Sequence, residues 1–105
     1  MDKIEFEWDD KKAKSNLEKH GVSFELASEI FCRSTVLTFE DDRFDYGEVR
    51  EVAIGEIEGI CLYVIFTVRG ESLRIISARK ASIRERRAYY DHIERTTNRN
   101  TQENE

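Results

Sequence analysis

The sequence predicts an α+β domain: an antiparallel β-sheet carrying an N-terminal helix pair, with a C-terminal helix packed on it. Three observations carry that reading. Stretches of period-2 alternation and stretches of helical spacing follow one another in the order β-α-α-β-β-β-β-α. The last three strands are joined by short glycine-centred links, which make hairpins and leave no room for crossover helices. The chain has 105 residues, of which 39% are hydrophobic, enough for one modest core and not for two.

Taken in order, Ile4, Phe6 and Trp8 alternate with charged residues and predict a half-buried first strand. Asp9 or Asp10 then caps a helix over Asp10–His20, with Ala13, Leu17 and His20 on one face. Gly21 is the left-handed residue that ends it. Ser23 starts a second helix from Phe24 to about Cys32, whose Phe24, Ala27 and Phe31 share a face. A short strand over Thr35–Phe39 leads into an acidic loop, Glu40–Gly47. Val49–Ile57, Ile60–Val68 and Ser72–Ala78 follow as strands linked by Glu58-Gly59 and Arg69-Gly70-Glu71. Both faces of Ile60–Val68 are apolar, so this strand is expected to be central and covered on both sides. Ser82-Ile83-Arg84-Glu85 has the spacing of a capping box and predicts a last helix from Ile83 to about Arg95. One domain is therefore expected over residues 1–95, followed by a flexible acidic tail over 96–105.

Composition removes several function classes. No apolar run approaches the ~20 residues of a membrane span, and the first residues lack a secretory signal. Cys32 and Cys61 have no metal-type spacing, so a reduced cytoplasmic protein without metal or cofactor is expected. Nucleotide-binding, zinc-protease and serine-hydrolase motifs are absent. Net charge is -5, but unevenly spread. Residues 1–68 hold eight Lys/Arg against sixteen Asp/Glu, giving -8, whereas residues 69–95 hold eight against four, giving +4. An acidic chain does not coat nucleic acid nonspecifically, yet its arginine-rich part can grip a phosphate locally.

That part is where chemistry is sought. Arg74 and Arg79 lie on the last strand and at its mouth, and Arg86, Arg87 and Tyr90 follow on the last helix. Guanidinium groups match phosphate oxygens bidentately, and a phenol can move a proton. The plain alternative pairs these arginines with Glu71, Glu85 and Glu94 and buries Tyr90. His20 ends the first helix beside Lys19, where the helix dipole favours a protonated imidazole; it serves either as a general acid or phosphate ligand, or as a structural cap. His92 is read as exposed and Trp8 as core. Lys11, Lys12 and Lys14 are read as a solvated face, and Cys61 as a buried apolar residue.

Three stretches together resemble the BrnT family of type II toxins: Phe6-Glu7-Trp8-Asp9, Asn16-Leu17-Glu18-Lys19-His20-Gly21-Val22-Ser23-Phe24 and Arg74-Ile75-Ile76-Ser77-Ala78-Arg79. Glu85-Arg86-Arg87-Ala88-Tyr89-Tyr90 fits the family's closing helix, so the likeness covers roughly residues 4–92. The resemblance implies a RelE-like fold and a metal-independent ribonuclease that inhibits translation by cutting RNA. It also implies a BrnA-like ribbon-helix-helix antitoxin as partner, through which alone the toxin would meet DNA. The motif assigns Arg74 and Arg79 to the scissile phosphate and His20 to acid or base work. Tyr90 joins these as a catalytic residue, and Lys19, Arg86 and Arg87 complete an RNA-binding groove. The alternative is a non-catalytic, toxin-like binding module acting in autoregulation. The acidic segment Glu40–Asp45 is read as a solvated loop, with an antitoxin-facing role as the second choice.

Overall fold

The structure is a computed structural model that describes residues 4–42 and 47–103. Its elements are β1 (Glu5–Glu7), α1 (Asp10–His20), α2 (Phe24–Arg33), β2 (Val36–Asp41), β3 (Arg50–Ile57), β4 (Ile60–Arg69), β5 (Ser72–Lys80) and α3 (Ile83–Glu103). The α+β class and the element order agree with the sequence. α3 runs beyond the Arg95 end expected for it. Of the expected loop Glu40–Gly47, β2 takes the first two residues, and residues 43–46 lie outside the described residues.

One expectation needs correction. The sheet is mixed, with strand order β1-β5-β4-β3-β2 and β1 parallel to β5. The cause is topological. The helix pair carries the chain to the far edge, where β2 runs opposite to β1, and three reversals later β5 returns parallel to it. β1 pairs only with Ser72, Leu73 and Arg74, so it covers just the first third of β5.

Local signals set the helices. The Asp9 side chain accepts from the backbone N–H groups of Lys11 and Lys12, which holds its carboxyl below the usual range. Gly21 closes α1 at φ 70°, a conformation that only glycine adopts cheaply. Ser23 Oγ accepts from Leu26 N–H and starts α2.

β4 is central and covered on both faces, as its sequence predicts. Leu62, Val64 and Phe66 meet Val22, Phe24, Ala27 and Ile30 in a core under α1 and α2. Phe31 bridges Phe6 and Phe66, and Trp8 lies edge-on to Phe24, half-buried against this core. The approach of α2 to β3 is close: a Cβ on Gly55 would meet Ile30 Cβ at 3.1 Å and Val36 Cγ1 at 3.0 Å. On the other face, Cys61 and Tyr63 pack with Val52, Ile54 and Tyr89 beneath α3.

Beyond β1, the outer edge of β5 is occupied by a side chain. Asn16 of α1 is buried; its amide donates to the carbonyl of Ala78 at 2.8 Å and its carbonyl accepts from Ala78 N–H at 3.2 Å. The same amide donates to Val22 carbonyl at 3.0 Å. Asn16 thus pairs with β5 as a neighbouring strand would, while tying down the turn after α1.

Candidate functional site

Part of the chemistry-bearing set, Arg79, Arg86, Arg87 and Tyr90, lies where β5 hands over to α3. The expected capping box is present: Glu85 N–H donates to Ser82 Oγ at 3.2 Å, and Ser82 N–H donates to Glu85 Oε1 at 2.7 Å. Arg79 donates to both Glu85 carboxylate oxygens, at 2.8 and 2.9 Å. These two bonds, opposed by a smaller cost of burial, lower the Glu85 pKa to about 2. The Arg79 guanidinium also lies 4.0 Å over the Tyr63 ring. Arg79 therefore welds the end of β5 to the first turn of α3, which is the plain alternative the sequence allowed for it.

The rotation of α3 differs from the simplest reading of its apolar positions. Ile83 is 61% exposed and Tyr90 45%, whereas Tyr89 is buried. Tyr89 is held by its hydroxyl, which donates to Thr35 carbonyl at 2.8 Å and lies 3.3 Å from Ser34 Oγ. That anchor at the α2–β2 junction fixes the helix phase and turns Tyr90 outward. The alternative that Tyr90 belongs to the core is thereby set aside.

Turned outward, Tyr90 has a partner that the sequence did not single out. Its hydroxyl donates to Glu56 Oε2 at 2.9 Å. That bond, reinforced by the carboxylate's charge, pushes the phenol pKa up, so Tyr90 holds its proton at neutral pH. Glu56 sits opposite Cys61 on the β3–β4 hairpin. Arg86, one turn before Tyr90 on α3, lines a cleft of about 340 Å³ with Gly59, Ile60, Cys61, Lys80 and Ala81. Burial, aided by the Glu56 charge, raises the Cys61 thiol, and Arg86 pulls the other way. A proton-holding phenol, a carboxylate and a guanidinium thus share one corner of the molecule. Tyr90 and Arg86 were named from sequence; Glu56 was missed, because nothing in the β3 alternation distinguishes it from other strand acids.

The remaining named residues lie elsewhere. Arg74 shares the α3 face with Arg79, but their β4 partners Thr67 and Tyr63 are four residues apart, roughly 13 Å along the strand. Arg74 approaches Glu7 at 4.0 Å. Arg87 is exposed on α3. His20 and Lys19 are exposed at the end of α1 and line a second cleft with Lys12, Ser15, Asn16 and Ile76 against the edge of β5. His92, expected to be exposed, is half-buried beside Leu37, Ala88 and Arg95. The arginines therefore do not all meet in one pocket.

Among the described residues, no group of three or more His, Cys, Asp and Glu side chains is placed to hold a metal ion. No helix among them is long and apolar enough to cross a membrane. A family model described as the ribonuclease toxin BrnT, of type II toxin-antitoxin systems, matches residues 8–85. No curated protein matches the chain.

Proposed function

The chain belongs to the BrnT family of type II toxin-antitoxin ribonuclease toxins, and from that membership we propose that it is a metal-independent, RelE-like endoribonuclease that halts translation by cutting RNA. A cognate ribbon-helix-helix antitoxin of the BrnA kind neutralises it, and DNA is reached only through that partner. The acidic balance of the chain fits this division, because a toxin that bound promoter DNA itself would need a wider basic surface.

The observation that carries the proposal is the Tyr90–Glu56 hydrogen bond beside Arg86. Cutting RNA through its own 2′-hydroxyl needs a base for that hydroxyl, an acid for the departing 5′-oxygen and positive charge on the phosphorane. Glu56 takes the 2′-proton. Tyr90 keeps its proton at neutral pH and delivers it to the 5′-oxygen. Arg86 faces the phosphate from the same helix turn. Arg79, occupied by Glu85, acts as a positioning residue that fixes the start of α3. Arg74, Arg87, Lys19 and His20 guide the substrate strand at greater distance.

The test compares an RNA oligonucleotide with its deoxy counterpart in the presence of EDTA. RNA should be cut, leaving a 2′,3′-cyclic phosphate, and the deoxy strand should stay intact. Cleavage only with added Mg²⁺, or cleavage of the deoxy strand, rejects the mechanism. Failure to cut either, with antitoxin binding intact, makes the chain a binding module.

A further inference from the structure

The two edges of the sheet are finished differently. On the β5 side, β1 pairs with the first residues and Asn16 takes both backbone groups of Ala78. On the other side, β2 pairs with β3 through all six of its residues, and among the described residues no strand lies beyond it. Alternation in an antiparallel ladder turns the N–H and C=O of every second β2 residue outward. Folded proteins ordinarily protect such an edge with charged side chains, lysine above all, or with proline, a bulge or a covering element. The β2 sequence, Val-Leu-Thr-Phe-Glu-Asp, contains neither lysine nor proline, and its charges stand only at its C-terminal end, which leaves residues 36–39 without such protection.

Side chains add to the backbone. Phe39 is 44% exposed. Leu37, two residues earlier and on the same face, borders a cleft between β2 and α3 with Ala88, Asp91, His92 and Arg95. The end of the strand is acidic, with Glu40 and Asp42 exposed on either side of the buried Asp41. An added strand would thus find backbone partners, an exposed ring, a side-chain cleft and a negative terminus along one line.

We propose that β2 is the docking edge for the antitoxin, which adds an extended segment to it as a sixth strand, apolar opposite Leu37 and Phe39 and basic opposite Glu40 and Asp42. The inference rests on the toxin–antitoxin reading given above and names the surface that reading needs. Charge selects the occupant. A second copy of this chain would bring another net charge of -5 to the same edge, whereas a basic segment complements it. Pairing here leaves Tyr90 and Glu56 untouched, so inhibition comes from the rest of the antitoxin lying across α3.

The experiment uses the full chain and, as probe, a ribbon-helix-helix protein of the BrnA kind from the same genome. Hydrogen exchange of the Val36–Asp41 amides is followed with and without antitoxin. Affinity is measured for wild type, for Phe39→Lys and for Glu40→Lys with Asp42→Lys. All three substituted side chains are exposed, so the variants should fold as the wild type does. Antitoxin should slow exchange in alternate β2 amides, and each variant should weaken binding about tenfold or more, while RNA cutting without antitoxin is unchanged. If wild type binds antitoxin but β2 exchange and the variant affinities stay level, the docking edge is wrong and the toxin–antitoxin reading stands. If wild type binds no antitoxin, that reading falls and the inference falls with it. If the isolated chain is a dimer whose β2 amides are already protected, the occupant is a second copy and the proposal is overturned.

Discussion

The corner around α3 and the corner at the end of α1 both carry residues that the sequence marks for chemistry, and they use them differently. At the α3 corner the polar side chains hold one another: Tyr90 with Glu56, and Arg79 with Glu85. At the α1 corner the one buried polar side chain, Asn16, holds backbone, while Lys19 and His20 stand in solvent. Side-chain pairs can be exchanged for a substrate's groups without opening the fold. Backbone pairs cannot. In the proposed mechanism the first corner reacts while the second holds the sheet edge, and the largest test of that contrast is catalytic. Tyr90→Phe keeps the ring against Tyr89 and removes only the hydroxyl, and Glu56→Gln keeps the shape and removes the charge. Each should lower RNA cleavage by about 10²–10⁴-fold with little change in melting temperature. Unchanged cleavage by a folded Tyr90→Phe protein would remove the phenol from the mechanism.

Next in size is a stability effect at the other corner. Asn16→Ala strips partners from Ala78 N–H, Ala78 C=O and Val22 C=O together. Buried backbone groups left unpaired cost about 2–4 kcal/mol here, or roughly 10–20 °C in melting temperature. At a temperature where the variant is still folded, its cleavage rate should stay near that of wild type. A rate loss as large as that of Tyr90→Phe in the folded variant would mean that the two corners are not separable.

What sequence reading reached, and what it missed, follows the same division. Alternation in β4, the glycine links and the caps at Asp9, Ser23 and Ser82 are local signals, and each led to the right element. The parallel pairing of β1 with β5 depends on where the helix pair delivers the chain, which no local pattern states. The Asn16 bond spans 62 residues and looks, in sequence, like an ordinary helix polar position. Tyr89 and Tyr90 are adjacent and alike; which one is buried was decided by the Thr35 carbonyl and the register of α3 over β2 and β3. Glu56 became visible only once that choice had turned Tyr90 toward it.

A smaller effect separates welding from chemistry within the α3 corner. Glu85 has its pKa lowered from 4.5 to about 2 by Arg79. A depressed carboxyl stabilises the fold fully above its unfolded pKa, and that stabilisation is lost as pH falls through the folded value. The pair should therefore contribute about 1–2 kcal/mol at neutral pH after solvent screening, fading between about pH 4.5 and 2. Glu85→Gln should flatten that part of the acid-unfolding curve. Arg79→Ala should flatten it as well, and should lower melting temperature by several degrees because the Tyr63 stack is lost too. Toxicity relieved by Arg79→Ala therefore has to be read beside its melting curve before it counts as loss of a phosphate ligand.

The smallest expected change belongs to His20, which the family resemblance assigns to acid or base work. It is exposed beside Lys19, and the described residues give it no hydrogen bond or ion pair to anchor it near Tyr90 and Glu56. His20→Ala should leave melting within about 0.5 kcal/mol of wild type. Cleavage should fall by less than about tenfold, with the loss growing as salt is lowered if the imidazole helps to steer the RNA backbone. A salt-independent drop matching that of Tyr90→Phe would reverse the assignment. The proton transfers would then belong at the β5 edge, and the Tyr90–Glu56 bond would be a brace between α3 and the β3–β4 hairpin.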